Sequence, residues 1–248
     1  SRGAIDIRLP ESAIKVIDDD VRIDVLDNSD ARRLVAEMMI LAGEVAGRFA
    51  RKNGIPLPFR SQPQPELPPD EELLQLPAGP VRYCAMRGCM PRSEMSTTPA
   101  RHAGLGLEIY TQVTSPIRRY VDLLSHFQLK AYLRGEACPF SSEAVQEIAY
   151  SAAAATYEAT LVERQTKRYW ALEFLRRHGD QRWNALVLRW LRQEDNLGII
   201  LLEDLGLELP HRFQSTVQLG DRVEVEVVVA DPHQDLIRFR EFIESTVN

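Results

Sequence analysis

Residues Tyr110 to Tyr120 read YTQVTSPIRRY and set two adjacent arginines, Arg118 and Arg119, one residue after a serine–proline pair. Ser115 is a residue type that caps helix starts and Pro116 is pre-set for a first helical position. Ile117, Tyr120, Val121 and Leu124 then recur at helical spacing, so the pattern predicts a helix opened by Ser115 with both arginines in its first turn. Free backbone N–H groups and the positive end of the macrodipole already attract negative charge there, and two guanidinium groups on the same spot call for an anion. A phosphate suits a guanidinium better than it suits a lysine, because the planar fork of donors matches two phosphate oxygens. The competing arrangement pairs the arginines with nearby acids, such as Asp122, on a solvated face.

Other residues with chemical potential have plainer readings beside the functional ones. Asp122 and His126 stand four residues apart and could share a metal, but two ligands without a third make a weak site, and His126 is expected to pack at the buried edge. Asp18, Asp19 and Asp20 form an acidic triplet, but the flanking segments Ala13–Ile17 and Val21–Leu26 alternate apolar and polar residues, so the triplet is expected to be a hairpin turn. Cys84, Cys89 and Cys138 show no CxxC spacing and cannot all pair within the chain; they are expected to be reduced, and Cys84, Cys89 and His102 lack a fourth zinc ligand. Glu37 can pair with Arg33 one turn away, and Glu163 and Arg164 can be an ordinary charged turn beside Lys167 and Arg168.

The elements that must position these residues follow from periodicity. Asn28 and Ser29 offer caps to a helix running to Asn53 and stopped by Gly54, with Leu34, Met38, Leu41, Val45 and Phe49 as its expected core stripe. Eight of the fifteen prolines fall between Ile55 and Pro80, which reads as an irregular connector with Phe59 and Arg60 as its notable residues. The helix from Ser115 is expected to reach Arg134 and stop at Gly135. Ser142 to His178 reads as one helix closed by Gly179, spanning on the order of 50 Å at ~1.5 Å per residue. Beyond Asp180, strands are expected at Asn184–Leu191, Leu197–Leu202, Leu207–Pro210, Arg222–Val229 and Leu236–Phe242, enough for a small OB-type barrel. Trp183, Trp190, Phe213 and Phe239 are expected in its core. The segment GIILLE, Gly198–Glu203, lacks the aromatics on which bases stack.

With 248 residues, 44% of them hydrophobic, the chain can bury a sizeable core and is expected to hold two units. A net charge of −6 argues against a broad basic coat for nucleic acid, so any nucleic-acid contact must be local. No segment has the apolar length to span a bilayer and the first residues lack signal-peptide character, so no membrane partner and a cytoplasmic setting are expected.

TSPIRRY followed by VDLLSHFQLKAYL resembles the signature of the RNB domain of the ribonuclease II/R family. The segments SRGAIDI (Ser1–Ile7, similar to an RGAI-type strand), AEMMILAG (Ala36–Gly43), PFR (Pro58–Arg60), HAGLGLEIYTQ (His102–Gln112) and VERQTKRYW (Val162–Trp170) follow in the family's order. Gly43 and Gln62 stand where the family usually has other residues, and Glu66–Met90 matches poorly. The resemblance implies an α+β chain: a helix-rich RNB-domain portion over residues 1–179, then a small five-stranded OB-type β-barrel over 180–248. It implies a hydrolytic, processive 3′ to 5′ exoribonuclease acting on single-stranded RNA and releasing nucleoside 5′-monophosphates. Mg2+ would be held by aspartates upstream of this chain, in another part of the same protein. Arg118 and Glu37 would be catalytic, with Glu37 near the 3′ nucleotide, where a carboxylate can accept from a ribose 2′-OH. Ser115, Arg119, Tyr110, Glu163, Arg164 and Arg60 would contact RNA. The alternative is a noncatalytic RNA-binding or assembly protein that keeps the scaffold.

Overall fold

The computed structural model describes residues 2–26 and 29–242; Asn28, one of the two expected helix caps, and Ser1 lie outside them. In chain order the elements are β1 (Glu11–Ile17), β2 (Asp20–Leu26), α1 (Asp30–Asn53), β3 (Phe59–Ser61), α2 (Asp70–Gln75), α3 (Pro80–Gly88) and β4 (Glu94–Ser96). They continue with α4 (Tyr120–Leu133), α5 (Ser142–Arg177), β5 (Arg182–Arg192), β6 (Leu197–Leu202), β7 (Leu207–Arg212), β8 (Arg222–Asp231) and β9 (Leu236–Phe242). The chain divides into two compact units. One comprises Ser1–Asp6, Asn28–Leu67 and Cys89–Thr160; the other comprises Ile7–Asp27, Pro68–Gly88 and Leu161–Asn248.

In the first unit, α1 follows the expected bounds: Ser29 stands at its N-cap, though without a side-chain hydrogen bond, and Gly54 ends it in the left-handed region. The side of the helix that packs is not the expected one. Leu34, Met38, Leu41 and Val45 are at least half exposed, and the buried positions are Gly43, Gly47 and Ala50. Small residues win because the helix backbone lies directly on the segment Ile109–Thr111. A Cβ at Gly43 would stand 2.4 Å from both the Thr111 carbonyl oxygen and the Tyr110 ring. Ala50, Ile55, Leu57, Phe59 and Ile109 form this unit's apolar cluster, with Phe49 packed against it. The Ser1–Ile7 segment forms no strand among the described residues, and Ile5 N–H donates to the Gly104 carbonyl at 3.0 Å.

In the second unit, β1 and β2 form the expected hairpin, with Ile17 opposite Asp20 and a two-residue loop at Asp18 and Asp19. Both loop residues have positive φ, 48° and 65°, as the tight turn that matches strand twist requires. The acidic triplet is therefore a turn. The carboxy-terminal strands form one antiparallel sheet in the order β7-β6-β5-β8-β9. Its two edges are joined by His211 on β7 and Glu241 on β9, 2.9 Å apart, which gives the connectivity of an OB-like barrel. Trp183, Phe213 and Phe239 are buried in its interior, and Trp190 packs against it half-buried. Val225 and Val227 are buried on one side of β8, but a register shift between Val227 and Val229 leaves Val228 and Val229 exposed. The outer face of β5 and β6 is also covered, because Leu186, Leu188, Ile199 and Leu201 pack on Val81 and Cys84 of α3.

Candidate active site

The two arginines do not lie inside a helix. Residues 116–118 form a separate turn, in which the N–H groups of Arg118 and Arg119 both donate to the Ser115 carbonyl at 3.2 and 3.0 Å. Arg119 is extended at the N-cap (φ −122°, ψ 113°), and α4 begins only at Tyr120. Ser115 is therefore not the cap that its type predicts, and Pro116 serves the turn. The cause is Asp122, a fully buried carboxylate in the first turn of α4. Its Oδ2 accepts from Ser115 N–H at 2.9 Å and from Arg119 Nη2 at 2.8 Å, folding the preceding segment back onto the helix. Arg119 thus makes the ion pair that the sequence offered as the alternative to an anion. Arg118 does not: it is exposed, has no ion-pair partner among the described residues, and borders a groove lined by Tyr120, Ile148, Ser151, Ala152 and Ala155.

Arg60, on β3, enters the same surroundings half-buried. Its Nε donates to Ser93 Oγ at 2.9 Å and its Nη1 to Gln112 Oε1 at 3.0 Å, so its close partners are neutral. Burial, and then the neighbouring Arg119 cation, pull its pKa below the ordinary arginine value. Burial pushes the Tyr110 hydroxyl up, while the cations Arg119 and Arg60 oppose the shift. Arg119 Nε and Asp122 Oδ1 are buried without a hydrogen-bond partner. Two partly buried guanidinium groups therefore lie near one carboxylate that bonds Arg119 alone, with a third, Arg118, next along the turn. Among the described residues neither Arg60 nor Arg118 has an ion-pair partner, and an anion with several acceptor oxygens would complete the cluster.

Other expected site residues are placed differently. Glu37 does not pair with Arg33, which turns to Asp30. Instead both carboxylate oxygens of Glu37 accept from Arg2, at 2.5 and 3.0 Å, and that hydrogen bonding holds Glu37 below the usual carboxylate range. Glu163 and Arg164 lie on the part of α5 that belongs to the other unit. Glu163 is 2.6 Å from Lys167, the ordinary charged turn, whereas Arg164 is exposed without an ion-pair partner among the described residues. His126 packs as expected, its Nε2 2.7 Å from the Val113 carbonyl. The three thiols are unpaired, and burial raises that of Cys84. Among the described residues, no group of three or more His, Cys, Asp or Glu side chains could hold a metal ion. Sequence reasoning missed Ser93, Gln112 and the anchoring role of Asp122; only the last left a trace, in its position three residues after Arg119.

An arginine-rich turn on an α+β scaffold is followed here by an OB-like sheet, and the comparisons name the family with this arrangement. The model of the RNB domain matches residues 1–135, and the chain belongs to that family. It is 64% identical over 98% of its length to an uncharacterised ribonuclease of Synechocystis sp., of which the match spans 37%. It is 39% identical over 98% of its length to the chloroplastic/mitochondrial ribonuclease II of Arabidopsis thaliana, of which the match spans 31%. The chain thus covers about a third of the length of these relatives. Among solved structures it resembles RNase R of Mycoplasma genitalium, with a TM-score of 0.78 at 19% identity, over 97% of this chain and 46% of that one. No helix among the described residues is long and apolar enough to cross a membrane.

Proposed function

We propose that this chain is the carboxy-terminal part of a hydrolytic, processive 3′ to 5′ exoribonuclease, with residues 1–179 completing an RNB catalytic domain and 180–248 an RNA-binding barrel. Three unpaired thiols favour a reducing, cytoplasmic setting. The observation that carries the reading is the uncompensated positive charge of Arg60, Arg118 and Arg119 around the single carboxylate of Asp122. Such a cluster fits the phosphodiester backbone of single-stranded RNA, and the M. genitalium RNase R that shares the fold has been solved with ribose-methylated single-stranded RNA.

In the proposed reaction a water attacks the phosphorus of the last phosphodiester, the P–O3′ bond breaks, and a nucleoside 5′-monophosphate leaves behind a new 3′-OH. The described residues in hand do not fit Mg2+: no three His, Cys, Asp or Glu side chains come together to hold it, Asp122 Oδ2 is occupied by Arg119 and the Ser115 N–H, and Asp18 and Asp19 form a hairpin turn. Its ligands are assigned to the upstream portion of the longer protein, and no step is derived through it. This chain's contribution is positional and electrostatic. Arg118, exposed and without an ion-pair partner among the described residues, stabilises charge developing on the scissile phosphate, while Arg60 and Arg119 hold adjacent backbone oxygens. Tyr110 supplies a ring beside them. Glu37, gripped by Arg2, keeps acceptor capacity for a ribose 2′-OH. The upstream portion also has a natural seat here. Leu34, Met38, Leu41 and Val45 of α1 are exposed among the described residues, and apolar side chains at these helical positions suit a surface covered inside a larger domain.

The test is single-turnover hydrolysis of end-labelled RNA by the full-length protein. Arg118→Ala is expected to lower the cleavage rate roughly 100-fold or more while changing RNA affinity only a few-fold. A variant that loses affinity and keeps its rate would remove Arg118 from the chemistry.

A further inference from the structure

The later turns of α4 carry a groove that the arginine turn does not use. Leu123, Phe127 and Ala131 recur at intervals of four residues on one face of the helix, and Ala137, Pro139 and Phe140 of the following segment form the other wall. The groove encloses about 500 Å³, within the size range of ligand clefts, and lies wholly inside the first unit. Phe127, an aromatic ring in this lining, is 43% exposed, so the groove is open to an outside partner.

Both walls are fixed before anything binds. The fully buried Gln128 donates from Nε2 to the Phe140 and Pro56 carbonyls at 2.9 and 3.0 Å, and its Oε1 accepts from Phe140 N–H at 3.1 Å. Glu136 N–H donates to the Ala131 carbonyl at 2.9 Å, and Gly135 supplies the positive φ, 75°, at which the chain leaves the helix. A partner therefore pays little ordering cost on this side. The charge of the lining is chiefly positive. Lys130 and Arg134 stand one turn apart and exposed, and among the described residues neither has an ion-pair partner. The carbonyl end of α4 favours cations there, which accounts for their position but takes up none of their side-chain donors. Glu136, the acid of the lining, pairs with neither of them among the described residues.

A fitting partner must bury apolar side chains between Phe127 and Phe140 while presenting carboxylates to Lys130 and Arg134. We infer that this groove docks an acidic peptide segment of another protein, anchored by an aliphatic or aromatic side chain with carboxylates flanking it. RNA suits the groove less well. Its backbone needs a continuous cationic track, and two cations one turn apart, beside Glu136 and a lining of leucine, alanine and proline, do not make one. The inference stands independently of the ribonuclease reading and gives the chain a protein partner through residues other than those of the Arg118 turn.

The test selects binders for the full-length protein from a random dodecapeptide library displayed on phage and measures the enriched peptides by fluorescence anisotropy. A consensus is expected in which Asp and Glu flank an aliphatic or aromatic anchor. Its Kd is expected to rise about tenfold or more in Phe127→Ser and in the double variant Lys130→Glu with Arg134→Glu. The double variant is expected to keep the wild-type rate on end-labelled RNA. If either variant fails to fold, the wild-type protein is photocrosslinked to a consensus peptide carrying benzoylphenylalanine at the anchor, and crosslinks are expected within Leu123–Phe140. No enriched peptide, a consensus without acids, crosslinks confined elsewhere, or peptide binding indifferent to the folded variants would each overturn the groove. A double variant that keeps its peptide affinity but loses affinity for a single-stranded oligouridylate would overturn it in favour of RNA.

Discussion

Asp122 governs the arginine turn at the scale of single residues. A carboxylate with no exposure accepts one backbone and one guanidinium donor, and both hold Ser115–Arg119 in its folded-back shape. Asp122→Ala leaves the Arg119 cation and the Ser115 N–H without their acceptor, so a stability loss of roughly 2 to 4 kcal/mol is expected from the urea midpoint, with a fall in cleavage rate as the turn loosens. Gly43 is a second such point. An added methyl would meet a backbone oxygen that cannot step aside at 2.4 Å, so Gly43→Ala should destabilise by about 1 to 3 kcal/mol, although alanine is the better helix former. A Gly43→Ala protein as stable as the wild type would show that α1 does not lie this close to Thr111.

The OB-like sheet and α5 depend on carboxylates at the scale of elements. Hydrogen bonds from Arg176 and then Arg177 hold Glu173 at about 2, against an ordinary value of 4.5, despite the opposing effect of burial. Burial alone would raise Glu241, but hydrogen bonds from Ser215, the Gln214 N–H and His211 outweigh it and bring it below the usual range. A folded-state pKa below the unfolded one means that each contribution is fully present above the unfolded value and fades as pH falls through the folded value. Glu173→Gln should therefore cost most stability near neutrality and progressively less from about pH 4.5 down to about 2, followed by circular dichroism during denaturant titration at each pH. A cost that grew on acidification would contradict the assigned direction. Glu241 has a further role: it joins β9 to β7 through His211, so Glu241→Gln is expected to loosen the barrel edge and speed amide exchange in both strands.

At the scale of the whole molecule, the two units differ in how much apolar surface they cover for themselves. The second surrounds a broad core reaching from Leu172 and Leu175 to Phe239; the first buries a small cluster and leaves Leu34, Met38, Leu41, Val45, Ile117 and Tyr120 exposed. Replacing Leu34 and Met38 together by serine should change the stability of this 248-residue chain by no more than about 0.5 kcal/mol, because neither side chain is buried in it. In the longer protein the same pair should cost several kcal/mol if the face is covered there. Equal, small effects in both would refute the proposed seat on α1.

Local pattern determined the lengths of α1 and α5, the Asp18–Asp19 turn, all five strands of the OB-like sheet to within a few residues, and the ordered motifs that mark the RNB family. These depend on spacing, caps and turn residues close together in the chain. Tertiary structure decided which face of α1 packs and where the arginine turn ends. Apolar periodicity states that a stripe exists but not which neighbour reaches it, and the small-residue face won because it lets two backbones meet. Ser115 and Pro116 carry a valid helix-start signal, yet a buried carboxylate seven residues after Ser115 draws the chain back on itself, a competition between hydrogen bonds that no local propensity records.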